Sequence, residues 1–208
     1  MKRIYSIYLL FVLIPIGAAA QITKPEIIKK KMEVPKTTPA PVPPAPAPPA
    51  PVYTLTAVKV TLQTGNDNKE FGAMLGLTLF QRNPYKGIYG LPGNGIKNEL
   101  PVNSAMDFGL ENNGYLPSVE KLKLETLQQT GLTLTIYYGP TFLLDAWKIE
   151  GVKLTLEFKD QNGNLHPVYG HKTIEFNTAK GILNNTYHTM KCHADGTFSP
   201  LTSPISEY

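Results

Sequence analysis

From Val58 onward the apolar residues of this chain fall at every second position, a spacing that an extended backbone satisfies and a helix does not. Val58, Val60 and Leu62 share one face, with Lys59, Thr61 and Gln63 on the other. Leu75, Leu77 and Leu79 repeat the pattern, as do Leu122 and Leu124, then Leu132, Leu134, Ile136 and Tyr138. Each set predicts a half-buried strand of an antiparallel sheet. No amphipathic helix of useful length is predicted.

The run from Trp147 to Phe158 adds a constraint. Trp147 and Ile149 occupy odd positions, whereas Val152, Leu154, Leu156 and Phe158 occupy even ones. A one-residue shift would turn the apolar set outward, so an extra residue must be absorbed near Glu150-Gly151, and a β-bulge does this. Asp160-Gln161-Asn162-Gly163-Asn164 reads as a hairpin turn around its Asn-Gly pair. Thr173 to Phe176 and Tyr187 to Cys192 supply two further strands. Many short strands punctuated by Gly, Pro and Asn predict an all-β antiparallel β-sandwich. Gln81 to Ser118, rich in Gly, Asn and Pro, reads as an elaborated surface loop.

This sandwich, residues 53–208, does not begin the chain. Lys2 and Arg3 precede an apolar run, Ile4 to Ile16, and then Ala18-Ala19-Ala20, the three-part layout of a secretory signal peptide cleaved before Gln21. With residues 1–20 removed, no transmembrane segment is expected. Residues 21–52 form a disordered linker in which Pro35 to Pro51 holds nine prolines near polyproline II. The expected location is exported: periplasmic, outer-surface or secreted. Cys192 is the chain's one cysteine, so no intrachain disulfide exists and the fold rests on its core.

Charge narrows the partners. The chain carries a formal +4, but the basic excess sits in the first 52 residues, and residues 53–208 hold 13 basic against 14 acidic side chains. A near-neutral domain lacks the footprint of a nucleic-acid binder. Catalysis is not expected either. His166, His171, Ser104 and Ser118 stand in no nucleophile or metalloprotease motif. His188, Cys192 and His193 do not form a closed zinc site, because on a strand His193 points away from the other two.

An opening strand ends in Thr64-Gly65, an acidic and amide-rich loop follows through Asp67, and Trp147-x-Ile149 later opens a long strand after a loop. In these features the chain resembles the PLAT family, the polycystin, lipoxygenase and alpha-toxin sandwich, over roughly residues 55–80 and 120–177. The resemblance implies that the first loop and the loop before Trp147 lie together at one end, and that this end binds calcium, a lipid surface or a protein. Trp147 is then a core residue. The chain departs from the family in the long 81–118 segment, in the tail after Asn177 and in its Asn66-Asp67-Asn68 loop.

Two sets of binding residues follow. Gly65 through its carbonyl, with Asn66, Asp67, Asn68 and Asp145, would supply oxygens for a calcium ion, which needs six to eight. A tight turn uses the same residue types for its own backbone bonds. Asp160-x-Asn162-x-Asn164 imitates half an EF-hand, but Leu165 replaces the required glycine and His171 the glutamate, leaving a turn. Tyr85, Tyr89 and Tyr115 carry the alternative, a carbohydrate-binding sandwich in which their rings stack on sugar or anchor a protein. The bland counterpart is that they pin the long loop. The expected function is thus a non-enzymatic module presenting loops to a protein, lipid or polysaccharide surface, or a purely structural envelope protein.

Overall fold

A computed structural model describes residues 48–82, 86–93, 95–112, 122–177 and 180–201, and the backbone of 205–207. The expected signal peptide and residues 21–47 of the linker lie outside these residues. Ten strands and one short helix follow in order: β1 Thr54–Thr64, β2 Met74–Gln81, β3 Lys86–Gly90, β4 Ala105–Asn112, α1 Leu124–Thr130, β5 Leu132–Gly139, β6 Ala146–Lys159, β7 His171–Glu175, β8 Gly181–Asn184, β9 Thr189–Ala194 and β10 Ile205–Glu207. All strand pairings are antiparallel, along the path β10-β9-β5-β2-β3-β4-β1-β6-β7, with β8 also paired to β6.

The path nearly closes on itself. β8 lies on the outer edge of β6, β9 lies on the far side of β5, and residues 185–188 join them through a bond from the Asn184 amide to the Tyr187 carbonyl, 2.8 Å. The weakest seam is β3–β4, which meet only at Tyr89–Asn112 and Gly90–Glu111. Inside, the alternating residues form one core. Val60, Leu75, Leu79, Leu134, Ile136, Leu154 and Phe158 are all fully buried.

The parity shift in β6 is a bulge. Gln63 faces Gly151 and Thr64 faces Ile149, so Glu150 is the extra residue. Trp147, Ile149, Val152, Leu154, Leu156 and Phe158 consequently all point inward. The 160–164 turn also forms. The Asp160 carboxylate accepts the amides of Asn162 and Asn164 at 2.8 Å each, and Gly163 adopts φ +83°.

Two expectations are corrected. Gln81 to Ser118 is not one irregular loop, since β3 and β4 lie within it and β4 buries Phe108 and Leu110 against β1. Leu122 and Leu124 are not alternate positions of a strand. Leu124 opens α1, where it and Leu127 share the buried helical face. Gly131 ends α1 at φ 70°, ψ −176°, a conformation that side chains do not favour.

Candidate functional site

The β1–β2 loop and the β5–β6 loop meet at one end of the sheet. The Gly65 amide donates to the Lys148 carbonyl at 2.7 Å, and the Lys148 amide donates to the Asp67 carbonyl at 3.1 Å. A Cβ on Gly65 would fall 2.7 Å from Glu150 Cγ, so a larger residue here would push the Glu150 side chain aside. Glu150 is held over it by Lys148 Nζ at 2.8 Å, and that bond is the main cause of its lowered pKa. Beneath the loops Trp147 is fully buried, and its Nε1 donates to Thr64 Oγ1 at 3.2 Å.

Residues 95–104 form a strap beside the β1–β2 loop. Ile96 exchanges two backbone bonds with Leu75, Leu100 exchanges two with Lys69, and the Asn103 amide donates to the Gly65 carbonyl. The strap covers Lys69 completely. Its ammonium donates to the Asn98 carbonyl at 2.7 Å and the Glu70 carbonyl at 3.3 Å. Burial lowers its pKa to about 8, against the pull of Glu99 in the other direction.

The residues expected to bind calcium are thereby placed. Asn66 is exposed, Asp67 and Asn68 are half-buried, and the Asn68 amide nitrogen donates to Glu99 at 2.8 Å. Asp145 Oδ2 accepts the amides of Thr141 and Phe142 at 3.0 and 2.9 Å, so this oxygen caps its own loop. Among the described residues no three Asp, Glu, His or Cys side chains converge in a set able to hold a metal ion. The donors fit two hydrogen-bonded turns as they stand. Charge does gather here: burial first, then Asp145, Glu70 and Asp67, push the Tyr138 phenol up to about 12, and its hydroxyl has no partner among the described residues.

Large apolar side chains stand exposed on these loops. Phe142, Leu143 and Leu144 in the β5–β6 loop are 72, 87 and 95% exposed, and Phe71 in the β1–β2 loop is 76% exposed. The loops adjoin at this level, since a Cβ on Gly72 would stand 3.4 Å from Thr141 Oγ1. The β8–β9 link supports the tip, with Asn185 donating to the Phe142 carbonyl at 3.0 Å. The sequence reading missed this patch. Its signal is Phe142-Leu143-Leu144, an unbroken apolar triplet one residue after Gly139-Pro140, where a turn must lie.

Tyr89, expected on an exposed loop, is instead buried in β3, and its hydroxyl donates to the Leu55 carbonyl at 3.1 Å. It pins β3 to β1 and has no face for a sugar. Tyr85 and Tyr115 lie outside the described residues, as does Ser118. His166 accepts the amides of Val168 and Tyr169 on Nδ1, His171 sits 3.8 Å from Glu157, and Ser104 donates to the Pro101 carbonyl. The His166 and Ser104 bonds are local, and His171 faces Glu157 across the β6–β7 pair. Cys192 is buried, which pushes its thiol up to about 12. His193 Nδ1 lies 2.8 Å from Thr133 Oγ1, and His188 packs edge-on to Tyr137.

Comparison with family models, with curated proteins and with solved structures finds no match to the chain. The fold is therefore described by its own geometry as an all-β, antiparallel, nearly closed sheet. Among the described residues no helix is long and apolar enough to cross a membrane.

Proposed function

We propose that the protein is an exported, non-enzymatic binding module, in which a PLAT-like β-sandwich on a proline-rich linker presents its tip to a lipid surface. The observation that carries this reading is the apolar crown of Phe71, Phe142, Leu143 and Leu144 on two adjoining loops. Four large apolar side chains held in water on two adjoining loops gain about 25 cal/mol per Å² of apolar surface when a partner covers them. Scattered exposed apolar residues need no explanation, whereas a contiguous group marks an interaction site.

A bilayer suits this shape because a narrow apolar projection can enter the headgroup region without a matching cavity. Asp67, Glu70 and Asp145 behind the crown work against attraction to anionic lipid, so binding should be carried by insertion and depend little on salt. Co-sedimentation with neutral phosphatidylcholine vesicles tests this. The full chain should pellet with vesicles, and the Leu143→Ser, Leu144→Ser double variant should not. Absence of vesicle binding by the wild type would leave a protein or polysaccharide surface as the tip's partner.

A weak calcium site is the finer part of the proposal. Asp67 and Asp145 are the two carboxylates of the expected set, and so few charged ligands imply a dissociation constant on the order of 10⁻⁴–10⁻³ M. Millimolar calcium should then raise the melting temperature by mass action. Asp67→Asn should remove that rise without unfolding the chain. A melting curve insensitive to both calcium and chelator discards the ion and keeps the apolar tip.

A further inference from the structure

The geometry points to a headgroup site beside the apolar crown, where Tyr137 and His188 form an aromatic corner that takes a quaternary ammonium group, that of phosphatidylcholine. The corner opens into a surface cavity of about 220 Å³ lined by Tyr137, Tyr138, Gly139, Pro140, Asn185 and His188. Pro140 stands two residues before Phe142, so at most about 7 Å of chain separates the cavity from the crown. Asn185 ties the two together through its bond to the Phe142 carbonyl at 3.0 Å. When the crown enters the headgroup region, this cavity meets headgroups.

Two glycines shape the corner. Tyr137 points outward from β5, 38% exposed, and Gly76 stands opposite it on β2. A Cβ on Gly76 would lie 3.5 Å from Tyr137 Cβ and 3.7 Å from its Cδ1, and one on Gly139 would lie 3.3 Å from Cε1 and 3.4 Å from the hydroxyl oxygen. The ring therefore lies along the strand over space that side chains at 76 and 139 would fill. The His188 ring stands at 76° to it with centroids 5.8 Å apart, and the Tyr138 amide fixes that wall by donating to the His188 carbonyl at 2.8 Å.

Chemistry selects the part of the headgroup. A phosphate is recognised by Arg or Lys, and the lining holds neither. The charges that act on Tyr138, itself in the lining, are the carboxylates of Asp145, Glu70 and Asp67, and they favour a cation. None of these carboxylates lines the cavity, which removes the direct oxygen partner that a metal ion or a primary ammonium requires. A trimethylammonium group has no N–H to satisfy, carries apolar methyls and is attracted to the face of an aromatic ring. Of the groups at headgroup level, it is the one that an exposed tyrosine ring beside a second ring suits. The inference rests on the lipid reading for the source of this group, though the corner uses none of the crown's side chains.

The test uses the full chain in two arms. In the first, ¹⁵N chemical shifts are followed on titration with millimolar phosphocholine, tetramethylammonium, phosphoethanolamine, inorganic phosphate and glucose. Phosphocholine and tetramethylammonium should give saturable shifts centred on Tyr137, Gly139, Asn185 and His188, and the others should not. Tyr137→Leu should weaken the phosphocholine response about tenfold and Tyr137→Phe should preserve it, because the ring face and not the hydroxyl is the partner. The Leu143→Ser, Leu144→Ser variant should respond as the wild type does. In the second arm, Tyr137→Leu should reduce co-sedimentation with phosphatidylcholine vesicles more than with vesicles in which phosphatidylethanolamine replaces most of the phosphatidylcholine. Phosphocholine shifts without vesicle binding would refute the lipid reading and keep the corner as a quaternary ammonium site. No saturable shift with either quaternary ion, equal shifts with phosphoethanolamine, phosphate or glucose, an undiminished response of Tyr137→Leu, or its equal loss on both vesicles would each overturn the proposal.

Discussion

Trp147 and Lys69 are both fully buried below the same loops, and they test opposite sides of burial. Trp147 packs its ring 5.9 Å from that of Tyr138 and gives its one polar atom to Thr64 Oγ1. Trp147→Ala should therefore cost about 3–5 kcal/mol, the range for large aromatic truncations in a core. Urea denaturation with an unchanged m-value measures this, and a loss under about 1 kcal/mol would place the ring outside the packed core. Trp147→Phe should cost less, because it leaves apolar bulk and forfeits chiefly the Thr64 bond. Trp147 was legible in the sequence as a core residue, because it alternates with Ile149 at the head of a strand. Lys69 was not. It sits in a run of Asn, Asp and Glu where a solvated lysine is ordinary, and its burial depends on a strap that begins 26 residues later. Only tertiary pairing with Leu100 buries it.

Elements were legible where period and parity both speak. β1, β2, β5 and the bulged β6 follow from alternation, and the position of the bulge follows from one change of parity. β4 carries the same sign in Met106, Phe108 and Leu110, but Gly109 and the Gly, Asn and Pro around it hid the pattern, and partners on both sides hold the strand in place. α1 has seven residues and β8 four, each too short for a period to be established. What fixes α1 is its end. A Cβ on Gly131 would meet the Ala194 carbonyl oxygen at 2.5 Å, in addition to the strain of φ 70°, ψ −176°. Gly163 shares a positive φ, +83°, but its Cβ would meet nothing within 4 Å. Gly163→Ala should cost about 1–2 kcal/mol from backbone conformation alone. Gly131→Ala should cost distinctly more, since collision with β9 backbone adds to a similar strain. Equal losses in denaturant unfolding would show that the α1–β5 corner gives way without cost.

At the scale of the whole molecule, the nearly closed sheet gathers the β1–β2, β5–β6 and β8–β9 connections and the 95–104 strap at one end. The resemblance implied that the loops of Asp67 and Asp145 lie together; the backbone bonds of Gly65 and Asp67 join the first loop to Lys148 at the head of β6. The apolar crown was not read, because three adjacent apolar residues carry no period and only the fold reveals that no strand covers them. Closure also buries ionisable groups with opposite alkaline behaviour. Lys69 has its folded pKa lowered from 10.5 to about 8, so between those values the unfolded chain binds more protons and stability rises with pH. Cys192 moves from 9.0 to about 12 and Tyr138 from 10.0 to about 12, so the folded state binds more protons there and stability falls as pH passes their unfolded values. Tyr89, raised by burial, adds to the fall. Stability should therefore climb above pH 8, reach its maximum near pH 9 to 10 and decline beyond it. Urea midpoints from pH 7 to 11 check the profile. Lys69→Met should abolish the climb and keep the decline, whereas Cys192→Ala should keep the climb and move the decline to higher pH. A wild-type curve that falls steadily from pH 8 would show that the Lys69 ammonium reaches water and that the strap does not seal the tip.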